Sequence, residues 1–124
     1  MATGLAASVV NGWLDGTFAT ATCWQKLHTA DPGAAGATAA AAGDTTRKQS
    51  TMAAASGGSK AASGSTGPWT NGGTSETISH ISNWSASSAG TFQGSCALTV
   101  AQPWASGNTL TLTSFSVAIT PIAA

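Results

Sequence analysis

Hydrophobic and polar positions alternate most clearly between Glu76 and Val100. Phe92, Gly94, Cys96, Leu98 and Val100 share one parity, and Thr91, Gln93, Ser95 and Thr99 share the other, with Ala97 as the one small residue in the polar set. A period of two predicts a strand with one buried face. Ser87-Ser88-Ala89-Gly90 supplies the small residues of a reversal, and Gly90 can take a positive φ, so the stretch reads as a hairpin.

Elsewhere the pattern is shorter. Leu5, Val9 and Trp13 recur every four residues, and Val10 and Leu14 widen that stripe, which predicts a helix over Gly4–Gly16 capped by Thr3. Gly12 inside it costs about 1 kcal/mol relative to Ala. Such a helix is expected to cover an open end of a sandwich or a neighbouring subunit. Thr17–Thr29 has β-type residues, with Cys23, Gln25 and Leu27 on one side and Trp24, Lys26 and His28 on the other. Asp31-Pro32-Gly33 ends it in a turn.

Ala34–Gly43 is almost pure Ala, favoured as helix by propensity but lacking any large residue to bury, and is expected to be a loop or arm over another surface. Asp44–Ala55 predicts a short strand, Ser56–Ser59 a turn, and Pro68-Trp69 an edge segment, because proline cannot donate to a central ladder. Asn71-Gly72-Gly73 and Ser106-Gly107-Asn108 are turn signals, and Pro103 limits the hairpin's second strand. In the last strand, Thr109–Thr120, Leu110 and Leu112 agree in parity but Phe115, Val117 and Ile119 take the opposite phase. That shift predicts a bulge near Thr113 or Ser114, where the strand bends or changes sheet, and Pro121 closes the domain. The whole is an all-β, antiparallel β-sandwich with one short N-terminal helix. It forms a single domain over 1–124, with a helical segment at 1–16 and an Ala/Gly-rich loop at 31–46.

Composition narrows the function classes. The 124 residues carry 6% charged side chains and a net charge of zero, where ordinary domains have roughly 25%. A basic surface for phosphates is missing, so nucleic acid is not expected as a partner, nor is an anionic membrane. No apolar run is long enough to span a bilayer, and with no Lys or Arg in the first 20 residues the chain is expected to begin at its mature end. A skin of Ser, Thr, Ala and Gly offers little electrostatic protection against association, which points to life inside an assembly.

Candidate chemistry is sparse. His28 and His80 are the only imidazoles, without H-x-x-x-H or C-x-x-C spacing, and no G-x-S-x-G frames a nucleophile, so no catalytic residue, metal site or cofactor is expected. Cys23 and Cys96 are expected to be buried free thiols, with a single intersheet bridge as the alternative. Their spacing is that of an immunoglobulin variable domain, but the Ala run stands where its Trp belongs and Gly94 where its Tyr belongs. Asn83-Trp84-Ser85 matches the glycosylation pattern by chance. Five tryptophans without a tyrosine, Trp13, Trp24, Trp69, Trp84 and Trp104, are the candidate interface or ligand platform. The Asp, Asn, Glu and Arg that fix sugar hydroxyls are scarce.

Several stretches resemble one protein family. Met1-Ala2-Thr3-Gly4-Leu5, Lys26-Leu27-His28-Thr29 with Asp31-Pro32-Gly33-Ala34-Ala35-Gly36, Thr45-Thr46-Arg47, and Ser75-Glu76-Thr77-Ile78-Ser79-His80-Ile81-Ser82 with Trp84 are similar to small virion proteins of tailed phages that infect actinobacteria. These are labelled tail-fibre or minor tail proteins, and similar β-sandwich proteins serve as capsid decoration proteins. The resemblance covers nearly the whole chain and is most specific in L-H-T-x-D-P-G-A-A-G. It implies a non-enzymatic, jelly-roll-like virion component used in several copies, assembled in the host cytoplasm. Its expected partners are itself, as a homotrimer, and the major capsid protein or tail proteins. A chain without shaft repeats favours capsid decoration (a minor capsid protein) as the leading expectation, with a tail-tip or fibre component that binds a host glycan as the alternative.

Overall fold

A computed structural model describes residues 3–119 and the backbone of 122–123. The architecture is an all-β sandwich with one short helix. One layer is a four-stranded antiparallel sheet in the order β3-β2-β6-β7, built from β2 (Trp24–His28), β3 (Lys48–Gln49), β6 (Glu76–Trp84) and β7 (Phe92–Trp104). Two antiparallel pairs face it: β4 (Ser59–Ala61) with β9 (Ser116–Ala118), and β5 (Thr66–Thr70) with β8 (Thr109–Leu112). A short parallel contact joins β1 (Leu5–Ala6) to β10 (Ile122–Ala123).

The core between the layers has two ends of different chemistry. At one end Leu27, Ala41, Trp69, Ile78, Ile81, Trp104 and Leu112 pack together. At the other, Gln25, Ser50, Thr66 and Asn83 are buried and bonded to one another. Gln25 Nε2 donates to Asn83 Oδ1 at 2.5 Å, Asn83 Nδ2 donates to Gln93 Oε1, and the Ser50 hydroxyl donates to Gln25 Oε1. Among the described residues no buried side-chain nitrogen or oxygen lacks a partner, which is the condition for keeping polar groups inside a sandwich.

The hairpin forms as its pattern predicts, with Trp84 paired to Phe92 and Glu76 to Trp104. Its buried parity does not hold. Phe92, Gly94 and Leu98 are half-buried, whereas Val100 and Cys96 are exposed, correcting the expectation of a buried Cys96. Two physical causes act together. Among the described residues β7 pairs only with β6 and is an edge strand, and the opposite layer leaves a gap over its inner face. The ladder also slips: Ile78 faces Gln102 and His80 faces Ala97, leaving Leu98 to Ala101 opposite Ser79 alone. Cys23 is buried, and both thiols are free.

The helix α1 runs Ala7–Thr17, starting later than the periodicity predicts, because Leu5 and Ala6 are held extended beside β10. Ala6, not Thr3, is its N-cap, and it makes no side-chain cap bond. Only half of the apolar stripe is used: Val10 and Leu14 are buried, while Leu5, Val9 and Trp13 face solvent. Polar side chains tie its inner side to the turn before β4, with Asn11 Oδ1 accepting from Gly58 N–H and Asp15 Oδ1 from Ala55 N–H. The same Asp15 oxygen pairs at 2.7 Å with Lys60, which is only 5% exposed.

Thr17–Thr29 becomes a single 3-10 turn at Thr20–Thr22 followed by β2, and Asp44–Ala55 contributes only the two residues of β3. The predicted break in the last strand is real. Residues 113–115 are irregular, and the chain leaves β5 as its partner to join β4, passing between the two pairs of that layer. Pro68 lies on β5, which among the described residues pairs on one side only, at an irregularity between Thr66 and Trp69. The predicted closing role of Pro121 lies outside the described residues.

Candidate assembly surface

The stretch L-H-T-x-D-P-G-A-A-G makes a clasp across the outer face of the four-stranded sheet. Leu27 faces the core. His28, one residue on, is fully buried on the other face, with Nδ1 2.9 Å from the Thr38 carbonyl and Nε2 2.7 Å from Ser82 Oγ. Burial pushes its pKa down, opposed in part by the Thr38 carbonyl. A neutral ring that donates from Nδ1 and accepts at Nε2 satisfies both contacts. Thr29 N–H donates to the Ala39 carbonyl and Ala41 N–H to that of Leu27, so the Ala-rich segment lies along the edge of β2.

Asp31 Oδ1 accepts from Gly33 N–H at 2.9 Å, and Gly33 has φ of 79°, which together set the turn. Gly36, with φ of 72°, lies directly under the Phe92 ring, where a Cβ would stand 2.4 Å from the nearest ring carbon. The loop expected over Ala34–Gly43 is therefore irregular, and it covers this chain's own sheet.

The five tryptophans do not form one platform. Trp69 and Trp104 are core residues, exposed 0% and 2%, with their indole N–H groups donating to the carbonyls of Thr46 and Asn108. Trp24 and Trp84 are brought together as register partners on β2 and β6, both half-buried. Trp24 Nε1 donates to the Ala21 carbonyl and Trp84 Nε1 to Ser82 Oγ. The face of Trp84 is occupied: the Arg47 guanidinium carbon sits 4.0 Å from its ring centroid, and Phe92 stands 5.4 Å away at 54°. Arg47 also donates to the carbonyls of Ala86 and Ala89, holding the hairpin tip shut. Trp13, 52% exposed on α1, stands apart from the other four.

An open trough runs between β7 and the stretch from Thr109 to Ala118, where the two layers of the sandwich do not close. Its larger part has a volume of about 660 Å³ with Leu98, Val100, Leu110 and Phe115 among its walls, and its smaller part about 260 Å³. Ile81, Cys96, Phe115 and Ser116 line both parts, and no charged residue lines either. Cys96 reaches solvent here, yet the protein flanking it desolvates the thiol and raises its pKa. The periodicity hid this feature, because a strand whose inner face has lost its cover reads the same as one whose cover is complete. Arg47 gave no signal either, since its partners lie 39 and 42 residues away.

His28 and His80 are register partners, but their rings bond to different groups, His80 Nδ1 lying 2.8 Å from Ser79 Oγ. Among the described residues no three His, Cys, Asp or Glu side chains gather as metal ligands. No helix among them is long and apolar enough to cross a membrane.

No curated protein matches the chain. The profile of one family, described as Podophage GP4 fiber I protein gp80, matches residues 1–120. That span takes in the clasp, the hairpin, the helix and the trough, and the chain belongs to this phage fibre protein family.

Proposed function

We propose that this chain is a non-enzymatic structural subunit of a virion fibre on a tailed phage of actinobacteria, present in several copies. It assembles with itself, as a homotrimer, and joins the particle through tail proteins, after synthesis in the host cytoplasm. The observation that carries this reading is the family match over residues 1–120. The surface supports it: charges are few, and among the described residues the large apolar side chains Leu5, Val9, Trp13 and Val100 are exposed.

The test is localisation by gold-labelled antibody on purified virions, with mass spectrometry of the same particles. Label on fibres at the tail supports the proposal, and absence from particles overturns it. Placement on the capsid surface, as a decoration protein, is the second reading; it draws on the β-sandwich fold and on the lack of a shaft repeat in these 124 residues, and label scattered over the head would establish it in place of the first. Host-glycan binding is a further role open to a fibre. Trp13 is the ring free to stack on a sugar, so binding on a glycan array should disappear in Trp13→Ala and persist in Trp84→Ala.

A further inference from the structure

His28 is sealed between the outer face of the four-stranded sheet and the Ala-rich segment that crosses it. The residue is 0% exposed, its backbone bridges to Ala40 of that segment, and Nδ1 donates to the Thr38 carbonyl at 2.9 Å. On the sheet side, Ser82 Oγ lies 2.7 Å from Nε2 and 2.7 Å from Trp84 Nε1. An indole N–H only donates, so Ser82 accepts from Trp84 and gives its own hydrogen to Nε2. Every hydrogen in this row has a place as long as the ring is neutral.

A second proton on the ring has none. Nε2 would turn from acceptor to donor, facing a hydroxyl whose hydrogen already points at it, and Ser82 is itself fully buried. Among the described residues no carboxylate bonds to the ring to balance the charge. The titratable groups around it are Lys26, two residues earlier on the same face of β2, and His80, its register partner on β6. Arg47, over Trp84, is a further cation on this face. From β7, Ser95 and Ala97 stand opposite Ser82 and His80, and the covering segment from Ala34 to Gly43 has no ionisable side chain. The carboxylates at its two ends are engaged elsewhere, Asp31 with Gly33 N–H and Glu76 with Ala42 and Gly43 N–H.

We propose that His28 is the latch of an acid-released clasp: uptake of a proton at Nε2 lifts the Thr38–Ala41 stretch off the sheet while the sandwich beneath stays folded. Water reaches the imidazolium most readily from this side, because the cover is a single strand of chain whose Thr38 and Ala40 are already exposed. An unpaired buried charge is costly, whereas lifting the cover parts few groups. They are chiefly two backbone hydrogen bonds, Thr29 N–H to Ala39 and Ala41 N–H to Leu27, and the small buried side chain of Ala41. The Asp31 turn and Glu76 keep the ends tethered. Burial above all, with Lys26 and His80 adding to it and the Thr38 carbonyl opposing, holds the pKa of the closed ring below its ordinary value. The closed clasp is therefore favoured above about pH 6.5, and below it opening gains up to about tenfold per pH unit until the ring of the closed form is itself protonated.

Hydrogen exchange of the full chain, followed by NMR between about pH 7.5 and 5 and expressed as protection relative to the unstructured rate, tests this. The Thr29 and Ala41 amides should lose protection as pH falls, by up to about tenfold per unit, while amides inside the β2–β6 ladder keep theirs. His28→Gln should abolish the loss, and His80→Gln should retain it. Protection that is flat with pH, that falls equally across the ladder, that still falls in His28→Gln or that no longer falls in His80→Gln overturns the inference. If His28→Gln does not fold, the wild type decides. Opening must keep rising while the His28 ring shifts report a neutral imidazole and level off where they report its protonation, and any other relation overturns the latch.

Discussion

Replacing Gly36 by alanine should destabilise the domain through two separable effects. The backbone φ of 72° is a left-handed conformation that costs an L-residue about 1–2 kcal/mol. The new Cβ would also stand 2.4–2.8 Å from three carbons of the Phe92 ring. That ring is held in a cluster, with the Trp84 ring centroid 5.4 Å from its own and Arg47 over the Trp84 face. Overpacking of this kind costs about 1–3 kcal/mol. Gly36→Ala is thus expected to cost about 2–5 kcal/mol in the wild-type background. In a Phe92→Ala background the steric part disappears, leaving about 1–2 kcal/mol from the backbone alone.

Urea unfolding of the four members of this cycle, followed by tryptophan fluorescence, measures the coupling directly. A coupling of about 1–3 kcal/mol, with the Phe92→Ala background relieving the Gly36 substitution, is the expected result. Additivity within about 0.5 kcal/mol would refute the reasoning and show that the Ala-rich loop does not rest on the hairpin. The outcome bears on the family signature, since Gly36 is the last residue of L-H-T-x-D-P-G-A-A-G.

The remaining expectations concern other single features. His28 has a folded pKa below its unfolded value of about 6.5, so its contribution is intact above that pH and is lost as pH falls toward the folded pKa, at no more than about 1.4 kcal/mol per pH unit. His28→Gln should flatten the pH dependence of the urea midpoint below about pH 6.5, whatever it does to absolute stability. Asn71, 2% exposed, donates to the carbonyls of Thr74 and Trp104 and accepts from Gly73 and Thr74 N–H; Asn71→Ala should cost about 2–4 kcal/mol in urea unfolding. Asn71→Asp should be worse than alanine at pH 7, because its carboxylate faces two carbonyl oxygens, and should recover in acid. Arg47→Ala removes two hydrogen bonds and the cation over Trp84, so a loss of about 1–3 kcal/mol with a shift in tryptophan emission is expected. With so few charges on the chain, self-association of the proposed subunit should survive high sodium chloride and strengthen in sulfate when followed by sedimentation; weakening by salt would show that charges drive it.

What could be read from the sequence divides along the range of the interactions. Turns depend on two or three neighbours, so Asp31-Pro32-Gly33 and Ser56-Gly57-Gly58-Ser59 were legible, and so was the break at Thr113–Ser114, because a parity shift is local. The fate of an apolar face is not local. Leu5, Val9 and Trp13 share helical periodicity with Val10 and Leu14, and only the position of β4 decides which half is buried. Cys96 and Val100 have core parity, and the gap between β7 and the opposite layer, with the slip opposite Ser79, exposes them. Trp69 followed a proline and read as an edge residue, yet β5 carries it into the core, because one side of an edge strand can still face inward. The polar end of the core was invisible for a related reason. Gln25, Ser50, Thr66 and Asn83 look like surface residues until all four meet.

The interior and the exterior of this domain use polarity in opposite ways. Inside, hydrogen-bonding side chains take the place of apolar packing at one end of the sandwich, and each finds a partner among the described residues. Outside, where polar groups usually provide both solubility and recognition, the chain has little charge to offer, and Lys60, the one buried cation among the described residues, is spent on Asp15 and the Ala53 carbonyl. A binding module would need the reverse arrangement, with unpartnered polar groups converging on an open ring. Trp84 illustrates the difference: its indole N–H is taken by Ser82, its face by Arg47 and its flank by Phe92, so the residue closes the hairpin tip. The large apolar side chains left exposed among the described residues are Leu5, Val9, Trp13 and Val100. Side chains of that kind gain free energy by meeting another apolar surface and lose little by desolvation, which is in keeping with the proposed role as one subunit among neighbours.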